Sequence, residues 1–198
     1  MIRYPWFLAF FGLLFFTSCQ TDDRPPEERY AEALAAGLAS KTVTNDLFLG
    51  LELDMTDQEF YDQCTRLNQQ KKIVMGSGGN RVNYAMSEEL DRPATMTFYP
   101  DFSKDDPRRI LAMDLEISYD DWSPWNRDAS SAALIKDLYT YVKEEYGNDI
   151  IPVPDDRYKV IFTQVKNNRR IAFWIKDERI VRVRITDLRA LPEEPLGL

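Results

Sequence analysis

The chain has 198 residues and a formal net charge of −8, from 33 acidic and 25 basic residues. It contains two cysteines and no histidine. Without histidine, Ser-His-Asp and Cys-His catalytic sites and histidine-based zinc sites are excluded. The acidic balance argues against binding to the phosphate backbone of nucleic acids. No cofactor motif is present, and we expect no cofactor.

Residues 1–18 have the pattern of a secretory signal peptide. Arg3 gives a positive start, residues 6–16 are uncharged and apolar, and Thr17 and Ser18 are small residues directly before Cys19. A run of about 11 apolar residues is too short for a membrane-spanning helix, which needs roughly 20. The alternative interpretation is a buried N-terminal helix with an incidental cysteine.

Residues 16–19, Phe-Thr-Ser-Cys, resemble the lipobox of bacterial lipoproteins, with Phe16 where the family prefers an aliphatic residue. The resemblance implies that the leader is removed and that Cys19 is lipidated, and two or more acyl chains give stable anchoring. Residues 20–23, Gln-Thr-Asp-Asp, resemble the acidic export signal of some Bacteroidota surface lipoproteins. We therefore expect a protein of the cell envelope that is lipid-anchored in the outer membrane, on either its surface or its periplasmic face.

Two regions follow the leader in this interpretation. Residues 19–45 form a lipidated tether, in which the spacing of Tyr30, Leu34 and Leu38 is compatible with a short helix. Residues 46–198 form a single α+β domain, with halves of about 46–121 and 122–198. Only Cys64 then remains as a thiol, so no intramolecular disulfide is possible and the hydrophobic core must provide the stability.

The domain pattern predicts two helices and several strands. Thr56 and Glu59 fit a capping box that opens a helix over 56–69, and Gly147 ends a second helix over about 129–146, which Asp128 or Ser130 can cap. Alternating apolar residues predict strands at 71–75, 81–86, 94–99, 110–119, 158–165, 169–175 and 179–186. We expect an α+β fold: an antiparallel sheet of six or more strands with two main helices on one face, divisible into two α-β-β-β units.

Residues 49–60, Leu-Gly-Leu-Glu-Leu-Asp-Met-Thr-Asp-Gln-Glu-Phe, resemble the opening of small outer-membrane lipoproteins of the SmpA/OmlA type. Asp54 stands where that family favours glycine, and no Gly-x-Pro turn follows the helix. The resemblance implies a helix-plus-antiparallel-sheet fold related to the β-lactamase-inhibitor protein, and a function that depends on contacts with other proteins.

The remaining motifs give little support for catalysis. The glycine-rich segment 76–80 lacks the Lys-Ser/Thr of a phosphate-binding loop and lies between two strands, so it is interpreted as a hairpin tip. Cys64 lies on the apolar face of its helix and is interpreted as a core residue. Asp105 and Asp106 precede Pro107 in a solvated turn, and no calcium-loop pattern occurs. We expect a protein that is not an enzyme.

Two segments are candidate binding sites. Asp120 and Asp121 lead into Trp122 and Trp125, an arrangement that can form a carbohydrate platform or flank a glycosidase-like pair of carboxylates. The competing interpretation is that this segment links the halves and that both tryptophans fill the core.

The last predicted strand provides the second candidate. Arg182 and Arg184 alternate with Val181, Val183 and Ile185, which predicts a basic outer face on the final hairpin, to which Arg169, Arg170 and Arg179 can add. Such arginines either pair with nearby carboxylates or form a binding face for a protein.

The leading hypothesis is a non-catalytic, membrane-anchored lipoprotein that binds an envelope protein partner through the face of Arg182 and Arg184. The alternative is a ligand-binding module, for glycans, that uses Trp122 and Trp125. A histidine-free hydrolase with two carboxylates is a third option, for which no residue stands out.

Overall fold

The computed structural model of the chain describes residues 23–76 and 81–197. The predicted signal peptide, Cys19 and the tip of the glycine-rich hairpin lie outside the described residues. The helices are α1 (Pro26–Ala39), α2 (Asp57–Gln69) and α3 (Ser131–Tyr146). The strands are β1 (Ile73–Met75), β2 (Val82–Met86), β3 (Ala94–Phe102), β4 (Ile110–Tyr119), β5 (Ile151–Asp155), β6 (Lys159–Lys166), β7 (Arg169–Ile175) and β8 (Val181–Asp187).

All eight strands form one antiparallel sheet in the order β1-β2-β3-β4-β8-β7-β6-β5. Each half of the chain therefore contributes a helix followed by four sequential strands. The last strands of the two halves, β4 and β8, pair at the centre of the sheet, with Leu115 opposite Val183. The α+β prediction is confirmed, and each unit has one strand more than the predicted α-β-β-β arrangement.

The extra strand of the second half is β5, which the sequence pattern does not predict. Its sequence alternates Ile151 and Val153 with Pro152 and Pro154, and proline normally argues against a strand because it lacks an N–H donor. β5 lies at the edge of the sheet, where a missing donor removes no bond to a second neighbouring strand.

Helices α2 and α3 cover one face of the sheet, as predicted. Phe60 of α2 and Leu138 of α3 pack into a single core with the alternate residues of β4 and β8. The capping box of α2 is present, since Glu59 N–H donates to Thr56 Oγ1 at 3.3 Å and Thr56 N–H donates to the Glu59 carboxylate at 2.9 Å. α3 begins after Ser130, whose side chain makes no capping hydrogen bond. Asp128 does not cap α3 either, because it lies in a preceding 3₁₀ turn.

The opposite face of the sheet is partly covered by α1 and by the C-terminal segment 190–197. α1 packs against β5 and β6, and a Cβ added at Gly37 would lie only 2.6 Å from the carbonyl oxygen of Asn167. Thr44 N–H donates to Asn168 Oδ1 at 2.6 Å and attaches the chain after α1 to the β6–β7 turn. The short helix expected within the tether thus packs against the sheet.

Candidate functional site

The segment from Asp120 to Asn126 lies at one end of the sheet and contains both candidate tryptophans. Trp125 is 90% exposed. Trp122 is half-buried: its Nε1 donates to the carbonyl of Glu178 at 3.2 Å, and the guanidinium of Arg179 lies 5.4 Å from its ring centroid. The interpretation that both tryptophans fill the core is therefore wrong.

The two acids of this segment are engaged in local contacts. Asp120 accepts a hydrogen bond from Thr95 Oγ1 at 2.7 Å. Asp121 pairs with Arg92 at 3.0 Å and accepts a hydrogen bond from Asn126 Nδ2 at 3.2 Å. The structure brings the four candidate residues into one loop, in which Trp125 offers an exposed ring for stacking and the carboxylates are held by neighbouring residues.

Arg182 and Arg184 lie on the sheet face opposite α2 and α3, as their alternation predicts, but they do not form an exposed basic surface. Arg184 is buried; its Nη1 donates to Asp114 at 2.5 Å and its Nη2 to Asp101 at 2.9 Å. Arg182 donates to Asp114 at 3.1 Å. The prediction of an exposed basic face is wrong at Arg184, because these carboxylates neutralise the strand within the fold.

The C-terminal segment completes this cluster of charges. The side chain of Glu194 is only 6% exposed; it accepts hydrogen bonds from Arg170 at 2.7 Å, from Arg184 Nε at 3.0 Å and from Thr186 at 2.7 Å. Burial alone would raise the pKa of Glu194, but its hydrogen bonds from Arg184 and Thr186 and the nearby positive charges lower it below the usual value. We define the charge cluster as Arg170, Arg182, Arg184, Asp101, Asp114 and Glu194; its three cations and three anions form a structural network.

An open groove lies between α2, the β1–β2 hairpin and the second half of β3, with a cavity volume of about 650 Å³. Among the described residues, three of the six exposed large hydrophobic side chains line it: Tyr61 (51% exposed), Val74 (57%) and Met75 (76%). Its other walls include Phe60, Cys64, Ile73, Tyr99 and Phe102. We call this surface the α2 groove. No local sequence motif predicts its shape.

The backbone of β1 directs polar groups away from β2, beside the groove. The N–H of Gly76 donates to the carbonyl of Arg81 at 2.8 Å. Bonded and non-bonded pairs alternate along an antiparallel ladder, so Val74 bonds to β2 while the N–H and C=O of Met75 point away from it. β1 is an edge strand of the sheet, at the end opposite β5. Within the described ranges no strand pairs with this edge. Asn68 Nδ2 of α2 donates to the outward carbonyl of Ile73 at 3.0 Å, and Met75 is the position at which an extended chain can bond to the edge.

The charge around the groove differs from that of the whole protein. The segment from Gln63 to Ser87 carries four cationic residues and no Asp or Glu, within a chain of net charge −8. These residues are Arg66, Lys71, Lys72 and Arg81. Arg81 also lies 5.3 Å from the Tyr99 ring centroid and 3.4 Å from the Glu116 carboxylate. An acid-free, cationic segment beside exposed apolar residues is the sequence signal that indicates this site.

Cys64 lines the α2 groove as a half-buried thiol. Burial raises its pKa to about 11, so the thiol is protonated at neutral pH and is a poor nucleophile. Cys64 therefore packs against the core as a half-buried residue and is not one of the buried core residues that the sequence interpretation expected.

Within residues 23–76 and 81–197, no cluster of three or more Cys, Asp or Glu side chains is arranged to bind a metal ion. In the same part of the chain, no helix is long and apolar enough to span a bilayer. Comparison with protein-family models finds no match. Comparisons with curated sequences and with solved structures also find no match.

Proposed function

We propose that this protein is a non-catalytic lipoprotein of the cell envelope that binds a partner protein at the α2 groove. The observation that carries the proposal is the concentration of exposed apolar side chains beside the unpaired edge of β1. A soluble surface rarely keeps Tyr, Val and Met exposed together unless they meet another molecule. The proposed binding surface is thus the β1 edge of the sheet and not the central strand β8, whose arginines are neutralised within the charge cluster.

The chemistry of the groove specifies the kind of partner segment. The free N–H and C=O of Met75 suit an extended strand that adds to β1, and the apolar walls suit its alternate side chains. Lys71 and Lys72 lie in the turn between α2 and β1 and favour acidic residues on that strand. We therefore propose an extended segment that combines apolar residues with Asp or Glu.

The anchor places the partner close to the membrane in this proposal. Lipidation of Cys19 is implied by the lipobox resemblance, and six residues separate Cys19 from Pro26, where α1 begins. Fully extended, six residues span at most about 20 Å. The start of α1 would therefore remain within that distance of the lipid, and because α1 packs against β5 and β6, the domain and the bound part of its partner would be held next to the membrane.

The test uses the tagged full chain, recovered from its own membranes with its bound proteins. Met75→Glu and Val74→Glu place a carboxylate in the groove without changing a buried side chain. Val43→Glu makes the same chemical change at a 50% exposed residue outside the groove. The proposal predicts a stoichiometric partner with the wild type and Val43→Glu, and its loss with Met75→Glu and Val74→Glu. Equal recovery from all four chains would exclude the groove as the binding site.

Glycan binding is the second candidate, favoured by the 90% exposure of Trp125. An aromatic ring open on one face can stack on the C–H face of a sugar. Trp125→Ala should then abolish the tryptophan fluorescence shift caused by cell-wall polysaccharide, and Trp125→Phe should retain binding. A wild-type chain whose fluorescence does not change with polysaccharide would remove this candidate.

A further inference from the structure

A second cavity lies on the helical face of the sheet, over the seam where β4 and β8 join the two halves. Its volume is about 400 Å³, within the range of small-molecule sites. Leu115 and Ile117 of β4 and Val183 and Ile185 of β8 line it. Further walls come from α3, from β2, β3 and β7, and from residues 46–49. We call it the seam cavity; it is separate from the α2 groove.

Arg169 lines this cavity as a buried cation without a directly paired carboxylate in the described ranges. It is only 3% exposed, yet among the described residues no carboxylate lies within 4 Å of it. Its Nη1 donates to the main-chain carbonyl of Asp46 at 2.5 Å, its guanidinium lies 4.9 Å from the Tyr146 ring centroid, and its Nε has no hydrogen-bond partner.

Arg169 differs from two other buried arginines in having no paired carboxylate in the part of the chain that the structure describes. Arg170 and Arg184 are also buried, and both pair with Glu194. Arg170 is the sequence neighbour of Arg169 and faces the other side of the sheet. A buried cation is destabilising unless an anion pairs with it. Arg169 therefore lacks the directly paired carboxylate that the fold supplies to its equally buried neighbour, and the charge of Asp46 acts on it only from beyond 4 Å.

We infer that the seam cavity binds an apolar monocarboxylate, whose carboxylate pairs with Arg169 and whose apolar body lies over β4 and β8. Guanidinium and carboxylate form paired hydrogen bonds, and the aliphatic floor accepts a hydrocarbon chain or ring. This inference is independent of the proposed function, since it concerns another site.

The charges at the cavity disfavour a ligand with two negative charges. The lining includes the carboxylates of Asp46, Glu89 and Glu145, with Lys166 as the only cation besides Arg169. Glu89 accepts a hydrogen bond from the hydroxyl of Tyr84. These three carboxylates would repel a phosphate dianion more strongly than a carboxylate.

The experiment uses octanoate as the probe and octan-1-ol as its uncharged analogue. The full chain is labelled at the methionine methyl groups, held in lipid nanodiscs and titrated by NMR. Met86 and Met96 line the seam cavity, and Met75 lines the α2 groove. We expect saturable shifts at Met86 and Met96 with octanoate, no shift at Met75, and at least tenfold weaker binding of octan-1-ol.

Arg169→Gln should reduce the affinity for octanoate at least tenfold, to that of octan-1-ol. Lys143→Gln, on the exposed side of α3, removes a cation outside the cavity and should bind octanoate as the wild type does. Equal affinity for octanoate and octan-1-ol, a response only at Met75, or no response at all would overturn the inference. If Arg169→Gln does not fold, the octanoate and octan-1-ol titrations of the wild type decide the question.

Discussion

Replacing Glu194 by Gln tests whether the charge cluster stabilises the fold. The change keeps the shape of the side chain and removes its charge. Within the described residues, Glu194 is the only carboxylate paired with buried Arg170, whereas Arg184 keeps Asp114 and Asp101. Leaving one buried cation without its partner costs about 3 kcal/mol. For a domain of this size, that loss lowers Tm by about 6–12 °C.

The neighbouring Glu193→Gln is the matched control. Glu193 is exposed, so removing its charge should change the free energy of unfolding by less than about 0.5 kcal/mol. Urea denaturation of the wild type and both variants gives the change in the free energy of unfolding that each substitution causes. If Glu194→Gln unfolds within about 0.5 kcal/mol of the wild type, the cluster does not stabilise the fold as described.

The stabilisation that Glu194 provides should depend on pH. The folded state lowers the pKa of Glu194 below its ordinary value of 4.5, so the unfolded chain binds this proton more tightly. The stabilising contribution is therefore present above about pH 4.5 and is lost as the pH falls through the folded pKa. Glu194→Gln cannot titrate at this position. The stability difference between the wild type and the variant should shrink below pH 4.5.

Three further changes test the helices and the groove. Gly37→Leu should destabilise the protein by about 1–3 kcal/mol and expose α1 to proteases, because its side chain would clash with the backbone at Asn167. Thr56→Ala should cost about 1 kcal/mol in urea denaturation, since it removes the cap that pairs with Glu59. Alkylation of Cys64 by iodoacetamide should be slow at pH 7 and rise about tenfold per pH unit up to its pKa of about 11.

Controls for these changes lie on the same elements. Ala36→Leu puts the same side chain on the exposed side of α1 and should leave the protease resistance unchanged. Thr65→Ala removes an exposed hydroxyl that bonds only within α2 and should change stability by less than about 0.5 kcal/mol. A Cys64 that reacts rapidly at pH 7, as mapped by mass spectrometry of its peptide, would contradict its burial beside the groove.

The sequence predicts the elements that local patterns determine. The capping box at Thr56, the end of α3 at Gly147 and the alternation along β4 and β8 depend on residues close together in the chain. β5 is missed because the acceptability of Pro152 and Pro154 depends on their position at the sheet edge, which is a tertiary property. The packing of α1 is likewise set by contacts with β5 and β6, far along the chain.

The candidate site is harder to predict, because it depends on which strands become neighbours. Alternation places Arg184 on the correct face, but its burial follows from the return of the C-terminal segment, which brings Glu194 against it. Trp122 is less exposed than Trp125, and Glu178 and Arg179, far along the chain, lie beside it. The α2 groove combines residues of α2, β1 and β3, so composition indicates its charge but not its shape.

The central claim is that a partner protein contacts the α2 groove, and site-specific photocrosslinking in living cells tests it most directly. A photoreactive residue replaces Met75 in one chain and Val43 in another, and each crosslinked product is identified by mass spectrometry. The account predicts a single major adduct from position 75, lost when Val74→Glu is added, and no matching adduct from position 43. The same adduct from both positions, or an adduct at 75 that survives Val74→Glu, would contradict it.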